Sequence, residues 1–528
     1  MMSLDFLKKI KPREYQQKIF NTCLKKNCLV VLPTGIGKTL IALMLSVERL
    51  QKYPKEKVVF LAPTKPLVEQ HQKSFKKHLP ELFAEMTLFT GQIKAEKRKQ
   101  LWDGSDIVFS TPQCVANDIK KGLYDLKEVS LLIEDEAHRC VKNYDYNYIA
   151  NNYKTQAKNP RIIGLTASPG NDIEKIKTIC QNLSIEEVEL RTRESTDVKP
   201  YLQDLELEKI KVDFPPEFHE LKVILQEIFN SYIEELKHRK VLFGGYSKMD
   251  LIELQKKISG MISRNSYNFN LMLAASACAQ AIKIQHAIEL LETQTLNSFN
   301  NYLENLFDQA KKRKSKGAVK LAENPKFNYI YAKTKEMISQ EINHPKIEKI
   351  RELVEKEISN NRKAKLIIFT QYRDTAQEIS KTLNSIENIN SKVFVGQAKK
   401  SSGSGKNQTS TGLSQKEQKQ IIEEFSEGKI NILCATCIAE EGLDIPEVNA
   451  VVFYETIPSA IRAIQRAGRT ARLKKGKLIL LITKKTRDET FYHISKSREK
   501  KMNKAINSIK EDLSNNKLNF KEKQKKLF

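Results

Sequence analysis

The stretch Leu32-Pro-Thr-Gly-Ile-Gly-Lys-Thr39 constrains the fold of this chain more than any other. The apolar run Cys28–Leu32 leading into it reads as a buried strand, and Leu40–Leu45 after it reads as a helix. Strand, glycine-rich turn, Gly-Lys-Thr and helix together make a phosphate-binding loop. Gly35 and Gly37 let backbone N–H groups curl around an anion, and the helix N-terminus adds its partial positive charge. Thr34, Gly35, Gly37, Lys38 and Thr39 are therefore the expected nucleotide contacts. Lys38 is placed to neutralise β- and γ-phosphate oxygens of ATP, and the Thr39 hydroxyl to hold Mg²⁺. Leu32 stands where the usual pattern has its first glycine, but the flanking strand and helix preserve the motif.

A loop of this kind sits at the edge of a parallel sheet. From Met1 to about Pro200, β-rich runs at 28–32, 58–62, 106–110, 131–133 and 161–165 alternate with helical stretches. The alternation returns near Lys346, with runs at 366–369, 392–395, 431–434, 450–454 and 477–482. This predicts two α/β domains of similar size, each a parallel sheet covered by helices on both faces. Between them the texture becomes helical, with apolar residues three and four apart along Ala281–Leu291. The expected boundaries are 1–200, 201–343 for the helical insertion, 344–490, and 491–528 for a solvent-facing basic helix and tail. His286 has no second ligand within a turn or two and reads as structural. The basic run Lys311–Lys316 reads as a solvated loop or as a phosphate contact.

Charge narrows the partners. Ninety Lys and Arg against 64 Asp and Glu leave a net charge of +26. An excess of that size favours a polyanion, nucleic acid first and an acidic membrane second. The N-terminus carries charges inside its short apolar stretch and is no secretory signal, and no uncharged run reaches the length of a membrane span. Eight cysteines spread along so long a chain argue for reduced thiols and a cytoplasmic, nucleoid-associated location. Cys434 and Cys437 lack a second pair or a histidine cluster, so a buried strand end is expected there rather than zinc.

Asp135-Glu-Ala-His138 follows the run 131–133. A carboxylate at that end of a strand can hold Mg²⁺ through water, and Glu136 beside it can act as general base on the attacking water. His138 would sense the γ-phosphate or couple the two lobes. Glu134 adds a third carboxylate, which should turn away to avoid like-charge repulsion.

The phosphate loop, Asp-Glu-Ala-His, Thr166-Ala-Ser168 and Gln465-Arg-Ala-Gly-Arg-Thr-Ala-Arg472 occur in that order across the two α/β regions. With Ala62–Gln70, Gly164–Gly170, Phe394–Gln397, Glu440–Pro446 and Ser459–Arg462, they resemble superfamily 2 DEAH-box helicases of the archaeal Hef and Fanconi anaemia M type. The resemblance covers nearly the whole chain. It implies an α/β fold of two RecA-like parallel-sheet domains with a helical insertion domain between them.

Residue by residue, it places Arg13 and Gln16 on the adenine. Thr64, Lys65, Thr111, Pro112 and Gln113 would line a nucleic-acid track, continued by Thr370, Arg373, Gly396, Gln397 and Thr436. Gly442 and Asp444 would approach ATP from the second lobe, and Gln465, Arg469 and Arg472 would reach its γ-phosphate. Ala471 replaces the glycine usual before the last arginine.

The family further implies ATP and Mg²⁺ as cofactors, DNA rather than RNA, 3′→5′ movement, and forks and branched junctions as substrates in replication-fork repair and recombination. The insertion would recognise the branch. The nuclease signature of many Hef proteins is absent, so no strand cleavage is expected, and a nuclease would come from a separate subunit. Gln524–Phe528 resembles the peptides that dock on sliding clamps. Two other readings stay open at this point: a double-stranded-RNA-dependent translocase, and a non-catalytic scaffold that binds branched DNA and recruits a nuclease.

Overall fold

The computed structural model describes residues 11–203, 205–264, 268–397, 401–402, 409–410, 412–439, 445–470 and 475–515. The first lobe is a seven-stranded parallel sheet. Its strands are β1 (Cys28–Val31), β2 (Lys57–Leu61), β3 (Met86–Phe89), β4 (Ile107–Ser110), β5 (Val129–Asp135), β6 (Ile162–Thr166) and β7 (Glu187–Leu190), in the order β3-β4-β2-β5-β6-β1-β7. Both faces are covered, so the strands read as continuous apolar runs. Val30, Val58, Phe60, Leu131 and Ile133 enter the core beneath the helices Glu14–Lys25, Lys38–Lys52 and Lys65–His78. Leu29, Val59 and Leu132 alternate to the other face, beneath Asp145–Gln156 and Ile173–Asn182.

The second lobe contains β8 (Leu205–Val212), β9 (Leu366–Phe369), β10 (Ser391–Phe394), β13 (Ile432–Ala435), β14 (Ala450–Phe453) and β15 (Gly476–Thr483), in the order β10-β13-β9-β14-β15-β8. Two short strands, β11 (Ser401–Ser402) and β12 (Thr409–Ser410), pair only with each other. The expected insertion boundary at residue 201 is shifted by β8, which pairs in parallel with the whole of β15. Glu206, Glu208 and Lys209 make β8 a charged, half-exposed strand, as suits a sheet edge, and this hides it from apolar-run counting.

The helical insertion starts at Pro216 and runs through helices 216–238, 248–264, 269–293, 296–311, 316–322 and 325–339, which share one apolar core. It docks on the second lobe through polar contacts. Gln294 accepts from Thr375, Ser298 and Thr375 share a hydrogen bond, and Asn297 reaches Glu378. Glu292 receives Lys222 at 2.7 Å and the Arg487 backbone N–H at 3.1 Å. His286 lies in a structural network with Glu289 and the rings of Tyr302 and Tyr372.

The C-terminal helix, Arg487–Ser514, differs from expectation. It starts on the second lobe, where Asp488 is buried in an ion pair with Lys346. It then crosses to the first lobe, where Met502, Ala505, Ile506, Ile509 and Leu513 enter the core beside the helix Ile173–Asn182 and β7. One face is therefore buried rather than solvated, because its apolar residues recur at three and four within a lysine-rich background. The peptide 524–528 lies outside the described residues. Among the described residues, no helix is long and apolar enough to cross a membrane.

Candidate nucleotide and nucleic-acid sites

The phosphate loop is built as its sequence requires. Gly35 and Gly37 take φ of 83° and 87°, a region that penalises any side chain. A Cβ on Gly37 would also lie 2.2 Å from Gln16 Nε2. Helix Glu14–Lys25 braces the loop from outside: Tyr15 Oη donates to the Ile36 carbonyl at 2.6 Å and Gln16 Nε2 to the same oxygen at 3.2 Å. Arg13, expected on the adenine, stacks over the Tyr201 ring at 5.2 Å. Lys38 Nζ donates to the Leu32 carbonyl at 3.0 Å, so its charge is folded back into the loop.

The strand pleat sorts the three carboxylates. Asp135 shares its face with Ile133, toward the phosphate loop, while Glu134 turns to the opposite face against Cys140. Burial pushes the Glu134 carboxyl up to about 8, so it is protonated at neutral pH. Burial also works to raise Asp135, but the His71 ring and then the Lys38 ammonium outweigh it and hold the carboxyl below its ordinary value. Asp135 Oδ2 lies 2.8 Å from His71 Nε2, and His71 Nδ1 lies 3.4 Å from Thr39 Oγ1. Glu136 adopts φ 52°, a left-handed conformation that functional side chains tolerate when the surroundings enforce it. Its Oε2 is 3.2 Å from His138 Nδ1, and that nitrogen is 3.1 Å from Thr166 Oγ1. The Asp-Glu-Ala-His turn is thereby joined to Thr166-Ala-Ser168.

The second lobe closes on this face. Helix Ala460–Ala467 puts Ile464 against the first lobe's core, and Gly468 abuts Thr34. Gln465 and Arg469, 1% and 8% exposed, are both buried, Gln465 within that helix and Arg469 two residues beyond its end. Arg466 points the other way, into its own lobe, with its guanidinium over the rings of Phe369 and Phe453. Lys419 to Glu69 at 3.0 Å and Ser168 Oγ to Met502 Sδ at 2.7 Å add further links between the lobes. Arg472, Gly442 and Asp444 lie outside the described residues.

The track residues sit at the C-terminal ends of neighbouring strands. Thr64 follows β2 and Thr111 follows β4, and each is the N-cap of the next helix, so two helix N-termini face the same edge. Gln113 is exposed and Pro112 is packed as the first helical residue. Lys65 Nζ bonds to Gln92 at 2.6 Å. On the second lobe, Arg373 donates to the Gly396 carbonyl at 3.1 Å, Gln397 is exposed and Thr436 is largely buried. Thr370 differs from expectation: it is fully buried, with its hydroxyl turned to Gln294 of the insertion. Arg373 and Gly396 are half-buried, so with Gln397 they are the accessible members of the expected track on this lobe. Cys434 is a buried strand residue, as read, and Cys437 is exposed.

Family models match in order along the chain: DEAD/DEAH box helicase at 13–176, a putative ATP-dependent RNA helicase helical bundle at 217–342, and the helicase conserved C-terminal domain at 345–474. The crystal structure of the Pyrococcus furiosus Hef helicase domain is 40% identical, covers 92% of this chain and 98% of its own, and superposes with a TM-score of 0.68. The chain belongs to the superfamily 2 helicases of the Hef and Fanconi anaemia M type. This helicase is 37% identical over 507 residues to a putative ATP-dependent RNA helicase of Methanocaldococcus jannaschii. It is 31% identical over 537 residues to the mouse Fanconi anaemia group M protein homologue. These alignments take in 95% of this chain but 61% and 26% of the two relatives.

ATP use follows from the family, and the donor set fits a divalent cation beside the nucleotide. Thr39 and the ionised Asp135 supply hard oxygen donors at the loop. Among the described residues no group of three or more His, Cys, Asp or Glu could hold a metal alone. Mg²⁺ keeps several waters and takes few protein ligands beside phosphates. Sequence reasoning missed Tyr15, Tyr201 and His71. Tyr15 lies inside the Arg-Glu-Tyr-Gln stretch and could have been flagged; Tyr201 and His71 reach the site only through the fold.

Proposed function

We propose that this helicase is an ATP-driven 3′→5′ motor that remodels forked and branched DNA in fork repair and recombination. The observation carrying this is the approach of Gly468, the C-cap of the helix that carries Gln465 and the neighbour of Arg469, to Thr34 of the phosphate loop. Neither lobe makes a complete ATPase site alone. Lys38, Thr39, Asp135 and Mg²⁺ would hold the phosphates, Glu136 would take the proton of the attacking water, and Arg469 would spread the charge of the transferring phosphoryl. Arg472 joins this set by family position. Closure around ATP and release after hydrolysis would shift one grip on the strand relative to the other. Fungal relatives named as ATP-dependent DNA helicases, at 30–32% identity, support DNA as the track. Sliding-clamp docking through 524–528 and a separate nuclease subunit belong to the same proposal.

A double-stranded-RNA translocase is the second reading, favoured by the RNA-helicase names of the Methanocaldococcus relative and of the helical-bundle family. ATPase and unwinding assays on forks, junctions, linear DNA duplexes and duplex RNA separate the two, with Glu136→Gln as control. Forked DNA should stimulate most. Stimulation by duplex RNA alone would overturn the DNA reading, and full cellular function of Lys38→Ala would return the scaffold.

A further inference from the structure

His71 lies outside every motif read from the sequence, yet it stands between the two groups expected to meet the metal. It is 6% exposed on the inward face of helix Lys65–His78. The ring of Phe60 packs on the imidazole with centroids 4.4 Å apart and planes 34° apart, which fixes its orientation. Nε2 faces Asp135 Oδ2 at 2.8 Å and Nδ1 faces Thr39 Oγ1 at 3.4 Å. An ionised carboxylate only accepts, so Nε2 carries the hydrogen and donates. In the tautomer with its one hydrogen on Nε2, Nδ1 is the acceptor that faces the Thr39 hydroxyl. A threonine that gives its hydrogen away keeps its oxygen lone pairs for a cation. Asp135, held at Oδ2, keeps Oδ1 for a metal-bound water.

We propose that His71 is a positioning residue of the metal site, setting Thr39 and Asp135 for a divalent cation that arrives with the nucleotide. The inference rests on the ATP-motor reading and goes beyond it by naming what aims the two oxygens. Partners behind metal ligands typically change metal affinity 10- to 100-fold when removed. Leucine at 71 fills the same space without either hydrogen bond. Glutamine keeps both, with an amide N–H for Asp135 and an amide oxygen for Thr39.

The test compares the wild-type chain, His71→Leu and His71→Gln. Binding of a fluorescent ADP analogue is measured with Mg²⁺ and with EDTA, Mn²⁺ binding to the nucleotide complex by electron paramagnetic resonance, and ATP hydrolysis across a Mg²⁺ titration. The expected result for His71→Leu is weaker nucleotide binding only when metal is present, and a half-saturating Mg²⁺ concentration raised roughly 10- to 100-fold. His71→Gln should recover most of that loss. An unchanged metal dependence, or an equal loss in EDTA, overturns the proposal. If His71→Leu folds poorly, His71→Asn, too short to reach both partners, must show the same metal-specific loss. Absence of nucleotide binding by wild type would instead defeat the motor reading itself.

Discussion

Gly468 and Thr34 meet across the cleft with no room between them. A Cβ on Gly468 would lie 1.4 Å from Thr34 Oγ1, and among the described residues the buried Thr34 hydroxyl has no hydrogen-bond partner. Gly468→Ala should hold the lobes apart and lower nucleic-acid-stimulated ATP turnover by about tenfold or more, the rate equivalent of an overpacking cost of ~1–3 kcal/mol. Combining it with Thr34→Ala should restore part of the loss in a double-mutant cycle. Glu134 gives a pH prediction. Its folded-state value of about 8 stands above that of an unfolded glutamate. The folded chain therefore keeps a proton that the unfolded chain loses, and stability falls as pH rises from the ordinary carboxylate value to about 8. The limiting slope is about 1.4 kcal/mol per pH unit. Glu134→Gln, which has no proton to lose, should show a flatter melting-temperature profile across that window. At this scale the sequence was most informative where a site is contiguous. Lys38, Thr39, Asp135 and Glu136 follow from local strings, whereas His71 approaches Asp135 only because β2 and β5 are neighbours.

Two elements were hidden by composition. β8 carries alternating charge because it lies at a sheet edge, and so resembles the helical region it precedes. The closing helix Arg487–Ser514 is rich in lysine on its exposed face, and that masks the Met502, Ile506, Ile509 and Leu513 stripe. The burial of that stripe makes the helix a clasp between lobes. Ile506→Ala should lower unfolding stability by about 2–4 kcal/mol, read from denaturant titration, with the loss centred on the first lobe. Had the helix been solvent-facing as expected from sequence, the change would stay within about 0.5 kcal/mol. The sheets themselves were legible because strands buried on both faces leave unbroken apolar runs, and the phosphate loop fixed which run came first.

For the molecule as a whole, a basic surface and a track along the sheet edges predict binding governed by phosphates. Affinity should fall linearly on a log–log plot against salt concentration, and Lys65→Ala should reduce the slope by about 0.7 for a single strand, with little change in sequence preference. Fluorescence anisotropy over a salt series measures both. The insertion is rooted in the second lobe by β8 on entry and by the Gln294, Ser298 and Asn297 contacts at the foot of its longest helix. That helix, 25 residues from Phe269 to Thr293, reaches about 37 Å outward from the foot. In the proposed motor it would work as an oar whose lock is the second sheet. A rocking of about 10° at the lock sweeps the blade by about 6 Å, close to two steps of a strand that rises 3.4 Å per nucleotide. Small strokes at the nucleotide would thus become base-sized strokes at the far tip.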